Sequence, residues 1–302
     1  MKDLVIIGAG PAGITAAVYA ARKKLDFTVI TRDLGGQTIW AGEVGNYPGF
    51  QLMPGAELAL KFKETLEQFK FELQEGEEVA SVEQSGVGFK VTTGKGGVIE
   101  TRTIIMATGK RPRLLGVPGE GKYKNKGLTY CATCEGPLFA GKPVAVVGGG
   151  NSALDAVLQL MRYCPKVYLI NNKDKLIGDP IMIEKVQTSP LVEIINNAQV
   201  RSFSGDNFLR SVQLEVTGEK REVLVEGVFV EIGLVPNSKC IDFVKKNERE
   251  EIVVNCAAET SVPGLFAAGD VTAGPEKQII IAAGSGATAL LSAFRYLSTH
   301  RD

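Results

Sequence analysis

The richest chemistry in this chain belongs to two cysteines two residues apart, Cys131-Ala132-Thr133-Cys134, followed by Glu135-Gly136-Pro137. Thiols at this spacing close and open a disulfide, and the second one resolves a mixed disulfide without leaving the molecule. A helix start beneath the pair lowers the pKa of one thiol and makes a nucleophile near neutral pH. The alternative is a pair of buried, inert cysteines. The total of five cysteines is odd and too sparse for a secreted disulfide framework. Cys164, Cys240 and Cys256 read as structural. The one histidine, His300, lies in the C-terminal tail, and no second closely spaced cysteine pair exists to complete a zinc site, so no metal is expected.

Two glycine-rich loops carry the other chemistry. Gly8-Ala9-Gly10-Pro11-Ala12-Gly13 follows a short apolar strand and opens a segment at helical spacing. Gly148-Gly149-Gly150-Asn151-Ser152-Ala153 does the same about 140 residues later. In a dinucleotide-binding turn the first glycine permits the tight bend and the second lets the backbone approach a pyrophosphate. The third permits close packing of helix on strand, and the helix N-terminus offers free N–H groups to the phosphates. One such loop is weak evidence; two, each between strand and helix, are much stronger. The acidic ribose ligand usual at the end of the second strand is missing from both copies. Thr31, followed by Arg32, stands there in the first and Asn171 in the second.

The elements that must position these residues form the same β-α-β plan twice. In the first copy they are a strand at 3–8, a helix at 14–23 and a strand at 27–31. In the second they are a strand at 144–147, a helix to about 163 and a strand at 166–170. Further segments read as an amphipathic helix at 54–69 and hairpins at 89–103 and 212–225. Short strands end at Ala107-Thr108-Gly109 and at Gly233, and a last helix starts near Gln278. The predicted fold class is α/β, with two Rossmann-like domains of the three-layer ββα kind, the second inserted into the first. Residues 1–112 and 240–302 form one domain, and 113–239 form the other, which carries the cysteine pair. A length of 302 residues suits two domains. Thirty-four basic residues balance 34 acidic ones, so no nucleic-acid partner is expected. The longest apolar stretch, Ile279 to Phe294, is short and interrupted by Gly284, Ser285 and Gly286, so no membrane span is expected. The N-terminal glycine spacing argues against a signal peptide, and a cytoplasmic location follows.

Together these motifs resemble the low-molecular-weight thioredoxin reductase family over nearly the whole chain. They also resemble the reductase portion of the alkyl hydroperoxide reductase flavoprotein, through Gly136-Pro137-Leu138-Phe139 and Lys277-Gln278-Ile279-Ile280-Ile281-Ala282. The resemblance implies FAD at Gly8, Gly10, Pro11 and Gly13. It implies further FAD contacts from Gly35, Gly36, Gln37, Asn46, Thr108, Gly109, Gly269, Asp270, Gln278 and Ile279. It implies that Cys134 faces the flavin, that Cys131 attacks the disulfide of thioredoxin or a thioredoxin-like protein, and that the enzyme is a homodimer. Glu135 stands where the family has Asp as proton donor, one methylene longer. Trp40 is expected to pack near the flavin loop or at a dimer surface.

The match fails at the electron donor. Members that use NADPH carry His-Arg-Arg-x-x-x-Arg after the strand that here ends at Ile170, whereas this chain has Asn171-Asn172-Lys173-Asp174-Lys175-Leu176-Ile177. An arginine grips a 2′-phosphate with a planar fork and lysine offers a point charge. Losing two charged hydrogen bonds of roughly 1.5–3 kcal/mol each weakens NADPH by about two orders of magnitude or more. The nicotinamide site expected from Gly148, Gly150, Asn151, Ser152, Asn171 and Lys173 therefore suits NADH or, through Lys173 and Lys175, NADPH. A donor such as ferredoxin or a deazaflavin also suits the sequence. Two competing readings are a ferredoxin–NADP reductase, which would lack the cysteine pair, and a flavin-bearing redox sensor without turnover.

Overall fold

The computed structural model describes residues 1–40, 43–51, 53–86 and 88–300; the side chains of Trp40, Glu43, Thr133 and Cys134 lie outside that description. The expectation for Trp40 therefore falls outside the described residues. In chain order the main strands are β1 (Lys2–Ala9), β2 (Phe27–Leu34), β3 (Glu72–Glu75), β4 (Val79–Ser85), β5 (Gly88–Thr93) and β6 (Val98–Met106). Then come β7 (Lys110–Pro112), β8 (Leu128–Thr129), β9 (Val144–Val147), β10 (Val167–Ile170), β11 (Val192–Ile195) and β12 (Ala198–Gly205). The last are β13 (Leu209–Val216), β14 (Glu219–Leu224), β15 (Gly227–Val230), β16 (Leu234–Pro236) and β17 (Leu265–Ala267). The helices used below are α1 (Pro11–Arg22), α2 (Gly55–Glu67), α3 (Ala132–Glu135), α4 (Asn151–Leu160), α5 (Pro180–Thr188) and α6 (Ile279–Thr299).

Two compact units result. One comprises Met1–Arg111 and Val235–Asp302, the other Pro112–Leu234. The strands at the two chain crossings, β7 and β16, pair with each other.

In the first unit a seven-stranded sheet runs in the order β3-β2-β1-β6-β5-β4, with β17 also paired to β6. Strand β6 pairs with β1 along one edge and is long enough to serve two partners along the other. Its first half pairs antiparallel with β5, and Ile104–Met106 pair in parallel with Leu265–Ala267. Strand β1 is apolar on both faces because both are covered, as parallel strands require. Leu4 and Ile6 join the cluster under α1 and α6, while Val5 and Ile7 join the opposite one with Val91 and Ile252. Helix α1 has Pro11 at its start, where the missing N–H costs nothing.

The second unit repeats the logic. Its five-stranded parallel sheet has the order β8-β15-β9-β10-β11, backed by the antiparallel meander β12-β13-β14. Period-two alternation divides β9: Val144 and Val146 face the cluster with Leu154, Val157 and Leu160 of α4, while Ala145 and Val147 face Phe203, Val212 and Leu214 of the meander. This sheet–sheet–helix stack is the three-layer arrangement read from the sequence. The Thr217-Gly218 turn of the β13–β14 hairpin holds both residues at positive φ, 50° and 92°.

Helix α6 extends past Phe294 to Thr299, and its 21 residues with mean hydropathy 1.3 are long and apolar enough to cross a bilayer. It is instead a packed helix of the first unit. Ala282, Gly286, Ala289, Leu290 and Ala293 are buried against α1, and a Cβ added to Gly286 would lie 2.1 Å from the Ala12 carbonyl oxygen. Gly286→Val is expected to force the helices apart and cost roughly 1–3 kcal/mol, read as a lowered unfolding temperature.

Candidate active site

The first glycine loop is built by backbone contact. Gly8 holds φ +99°, and a Cβ there would meet the Ala107 carbonyl oxygen at 2.4 Å. A Cβ on Gly13 would lie 1.8 Å from the Gly8 carbonyl oxygen, so the first turn of α1 rests directly on the loop. Gly36 (φ +54°) completes the cradle, its added Cβ falling 3.0 Å from Gly10 Cα. Beside it Thr38 is 2% exposed, and its Oγ1 has no hydrogen-bond partner. A buried hydroxyl without a partner costs free energy unless a ligand meets it. Thr38 was not singled out from the sequence; its position two residues after Gly36 was the available signal.

Other predicted residues of this unit gather by specific bonds. Asn46 donates from Nδ2 to Gln278 Oε1 at 3.0 Å, joining residues 232 positions apart. Thr108 donates to the Asn237 carbonyl, and Asn237 returns a bond from Nδ2 to the Thr108 carbonyl, which fixes the Thr108-Gly109 turn. Gly269 has φ +72° and donates its N–H to Ser285 Oγ on α6, another residue the sequence did not point out. Asp270 opens the following turn, and burial pushes its carboxyl pKa up while Lys277 and Lys110 draw it down. Gly35 is buried, Gln37 and Gln278 are exposed, and Ile279 starts α6 half-buried. These residues can hold a dinucleotide: an open backbone cradle at a helix N-terminus, with an unpartnered hydroxyl beside it, fits the diphosphate of FAD.

A buried charge cluster borders Asp270. Lys110 Nζ lies 2.5 Å from Glu251 Oε1, and Lys277 Nζ 3.5 Å from the same oxygen. Lys277 also donates to the Thr272 carbonyl at 2.6 Å. Burial pushes the Glu251 pKa up, but hydrogen bonds from Lys110 and Asn247 outweigh it and hold the carboxyl below its ordinary 4.5. For Lys277 burial prevails, together with the Lys110 charge, and lowers its pKa.

The strand-end positions where an acid would bind ribose are used internally in both copies. Thr31 Oγ1 accepts from Ala9 N and donates to the Asp33 carbonyl, while Arg32 pairs with Glu78 at the surface. Asn171 is 2% exposed. Its Nδ2 donates to Lys173 O and Asn196 Oδ1, and its Oδ1 accepts from Lys173 N. The Asn171 carboxamide also backs onto the second glycine loop, where a Cβ on Gly149 would meet its Oδ1 at 2.3 Å. The segment after Asn171 folds back on that loop: Ile177 N donates to Gly149 O, and Asp179 N to Asn151 Oδ1. Gly148 bends at φ +146° against the Glu231 carbonyl oxygen, and Ala153, fully buried, takes the third-glycine place. Lys173, Lys175 and Ser152 are exposed.

Cys131 is half-buried and engaged in a disulfide, while Cys164, Cys240 and Cys256 are free. The cysteine motif forms the single helical turn α3. Cys131 N donates to Thr129 Oγ1, and Thr129 Oγ1 donates to Glu135 Oε1 at 2.9 Å, so Glu135 is held at the end of the turn. Cys164 lies behind this segment, donating its thiol to the Phe139 carbonyl, and burial pushes its pKa up to about 11. No group of metal-ligating side chains occurs among the described residues.

The family model for pyridine nucleotide-disulphide oxidoreductases matches residues 2–288. An NADH dehydrogenase of Bacillus subtilis is 38% identical over 98% of this chain and 58% of its own length. The F component of the alkyl hydroperoxide reductase of Staphylococcus epidermidis is 37% identical over 98% of this chain and 59% of its own length. The chain thus spans under two thirds of these curated relatives. Thioredoxin reductase from Lactococcus lactis superposes with TM-score 0.81 at 34% identity, covering 99% of this chain and all of that one.

Gly13→Val puts a side chain into the Gly8 carbonyl and should abolish flavin retention while the second unit stays folded, read by absorbance of the purified protein and limited proteolysis. Glu251→Gln leaves Lys110 and Lys277 facing a neutral partner and should cost about 3–5 kcal/mol at neutral pH. Because the folded pKa of Glu251 is depressed, its contribution is present above the ordinary value of 4.5 and fades as pH falls through the folded value. The variant should therefore lose less stability than the parent on acidification below about pH 4.5, measured by urea unfolding.

Proposed function

The chain belongs to the pyridine nucleotide-disulphide oxidoreductase family, and we propose that it is a disulfide reductase that delivers two electrons from FAD, through Cys131 and Cys134, to the disulfide of a thioredoxin-like protein. The observation that carries this reading is the oxidised Cys131 immediately before a one-turn helix, in a chain whose other unit holds an open glycine cradle. Bound FAD would supply the two-electron chemistry. Gly8, Gly10, Gly13 and Gly36 would seat its diphosphate, with Thr38 donating to it. Asn46, Thr108, Gly109, Asp270 and Gln278 would line the rest of the site.

The protein side chains do the following. The Cys131 thiolate attacks the partner disulfide; one Cys131–partner S–S bond forms, the partner S–S bond breaks, and its departing sulfur takes a proton. Cys134 then attacks Cys131 Sγ, which closes the internal disulfide and frees the partner's second thiol. Glu135, hydrogen-bonded to Thr129, would give and take the proton.

For the donor we favour NADH over NADPH. Asn172 and Ile177 replace two arginines that would grip a 2′-phosphate, leaving Lys173 and Lys175 as point charges. A second reading, a donor such as ferredoxin or a deazaflavin, draws support from Asn171, whose donors are both spent inside the fold. The reading as a sensor without turnover remains the alternative class. Cytoplasmic location and a homodimer belong to the same proposal.

Anaerobic titration of the yellow protein with NADH, NADPH and reduced ferredoxin tests the donor. NADH should bleach the flavin at about 100-fold lower concentration than NADPH. Bleaching by ferredoxin alone would transfer the assignment to the second reading. With a thioredoxin-like substrate the enzyme should turn over many times per flavin, and Cys134→Ser should stop it. One reduction per protein would instead mark a sensor.

A further inference from the structure

The residue before Cys131 is tied to a buried carboxylate that has no part in the chemistry above. Glu120 opens the helical turn Glu120–Tyr123 of the second unit and is 5% exposed. Its seat is fixed by close backbone contact with β12. Gly119 stands at φ +89°, a Cβ there would meet the Phe203 carbonyl oxygen at 2.4 Å, and Phe203 N donates to the Pro118 carbonyl at 3.0 Å. A carboxylate is costly to bury unless hydrogen bonds meet it. Glu120 accepts three, from Gly116 N at 2.7 Å, from Leu115 N at 2.9 Å and from the Tyr130 hydroxyl at 2.9 Å. The two amides belong to the segment that follows β7. The hydroxyl belongs to the redox turn, one residue ahead of its first cysteine.

We propose that Glu120 and Tyr130 are positioning residues for Cys131, the Tyr130 hydroxyl tethering the backbone just before the cysteine to the buried carboxylate so that the thiol pair stays poised to close when its disulfide is open. The proposal rests on the disulfide-reductase reading and deepens it. Two successive side chains secure the approach to Cys131. Thr129, paired with Phe229 of β15, spends its hydroxyl on the turn itself, accepting from Cys131 N at 3.3 Å and donating to Glu135 Oε1 at 2.9 Å. The next side chain, Tyr130, reaches Glu120 instead. If Glu120 served only to fold the segment after β7, its bonds to Leu115 and Gly116 would suffice; the third bond is the one that reaches the cysteine turn. Burial, this bond and the Glu120 charge all push the Tyr130 phenol above its ordinary pKa of 10, so it remains a donor across the neutral range. With the disulfide closed, a covalent bond fixes Cys131 whatever its neighbours do. Once the bond opens, noncovalent tethers decide how much freedom the dithiol gains, and a dithiol with more freedom is favoured over its disulfide.

The test is the redox equilibrium of the cysteine pair in the full flavoprotein, held anaerobically in buffers of set ratios of reduced to oxidised dithiothreitol. One S–S bond breaks in the protein and one forms in the reagent, with two electrons and two protons passing between them. Samples are quenched in acid, denatured and alkylated, and the Cys131 peptide is followed by mass spectrometry. This readout needs neither a nicotinamide nor a partner protein, so it stays informative if the proposed electron route fails. Tyr130→Phe, which keeps the ring and removes the tether, should favour the dithiol about tenfold more than the parent does, a potential about 30 mV less negative. Glu120→Gln should move the equilibrium in the same direction, and the double variant should add little to the larger single shift, as expected of two ends of one bond. Tyr130→Phe carries the test by itself if Glu120→Gln does not fold. Lys124→Ala removes the cation 5.9 Å from the Tyr130 ring centroid, keeps the hydroxyl and should match the parent. A Tyr130→Phe equilibrium that superimposes on the parent's, even with a lowered unfolding temperature, or an equal shift in Lys124→Ala, would overturn the proposal.

Discussion

The structure depends on how closely two helices approach the loops that precede them. At the first loop the approach admits no side chain at all: a Cβ on Gly13 would stand 1.8 Å from the Gly8 carbonyl oxygen. That contact aims the α1 N-terminus across the cradle, and Gly286 lets α6 close over Ala12 from the other side. At the second loop Ala153 takes the third position, and its Cβ is 3.0 Å from where a Cβ on Gly148 would lie. The second copy is thus packed with one methyl group more than the first. Each loop is a bend open to glycine alone, Gly8 and Gly148 standing at positive φ at the ends of covered parallel strands.

The two copies share a further departure. A dinucleotide fold ordinarily spends the end of its second strand on ribose recognition. Here Thr31 and Asn171 both turn inward, the first tying Ala9 to Asp33 and the second tying Lys173 to Asn196. In the first copy the proposed flavin contacts would come instead from Gly36, Thr38, Asn46 and Gln278. In the second it leaves the proposed donor site with exposed lysines and a loop pinned through Ile177 and Asp179. The weak point of the sequence match is also the weak point of the structure.

Much of the fold was legible because its signals are local. Continuous apolar runs of four such as Leu4–Ile7 and Val144–Val147 read as strands buried on both faces because each is short and bounded by a glycine loop that marks the turn. The hairpin turn at Thr217-Gly218 and the start of α6 at Gln278 were equally local. Strands β3, β4 and β12 were not seen, because Glu72–Glu75, Val79–Ser85 and Ala198–Gly205 are mixed in polarity and owe their pairing to distant neighbours. Within the site, the glycines and cysteines announce themselves by spacing. Thr38 and Ser285 do not, since their importance lies in an unpartnered hydroxyl and a bond to Gly269, which are facts of tertiary structure. The Lys110–Glu251–Lys277 cluster joins three segments far apart in sequence and was invisible for the same reason.

The central claim is that the cysteine pair and the flavin held by one chain exchange electrons. Its most direct measurement is the flavin absorbance of the purified protein under anaerobic dithiothreitol, a reductant that acts on the disulfide. The account predicts that the yellow colour fades in the parent and persists in Cys131→Ser and Cys134→Ser, each of which retains its flavin. Colour that persists in the parent after mass spectrometry shows both thiols reduced, or that fades equally in the serine variants, would contradict it.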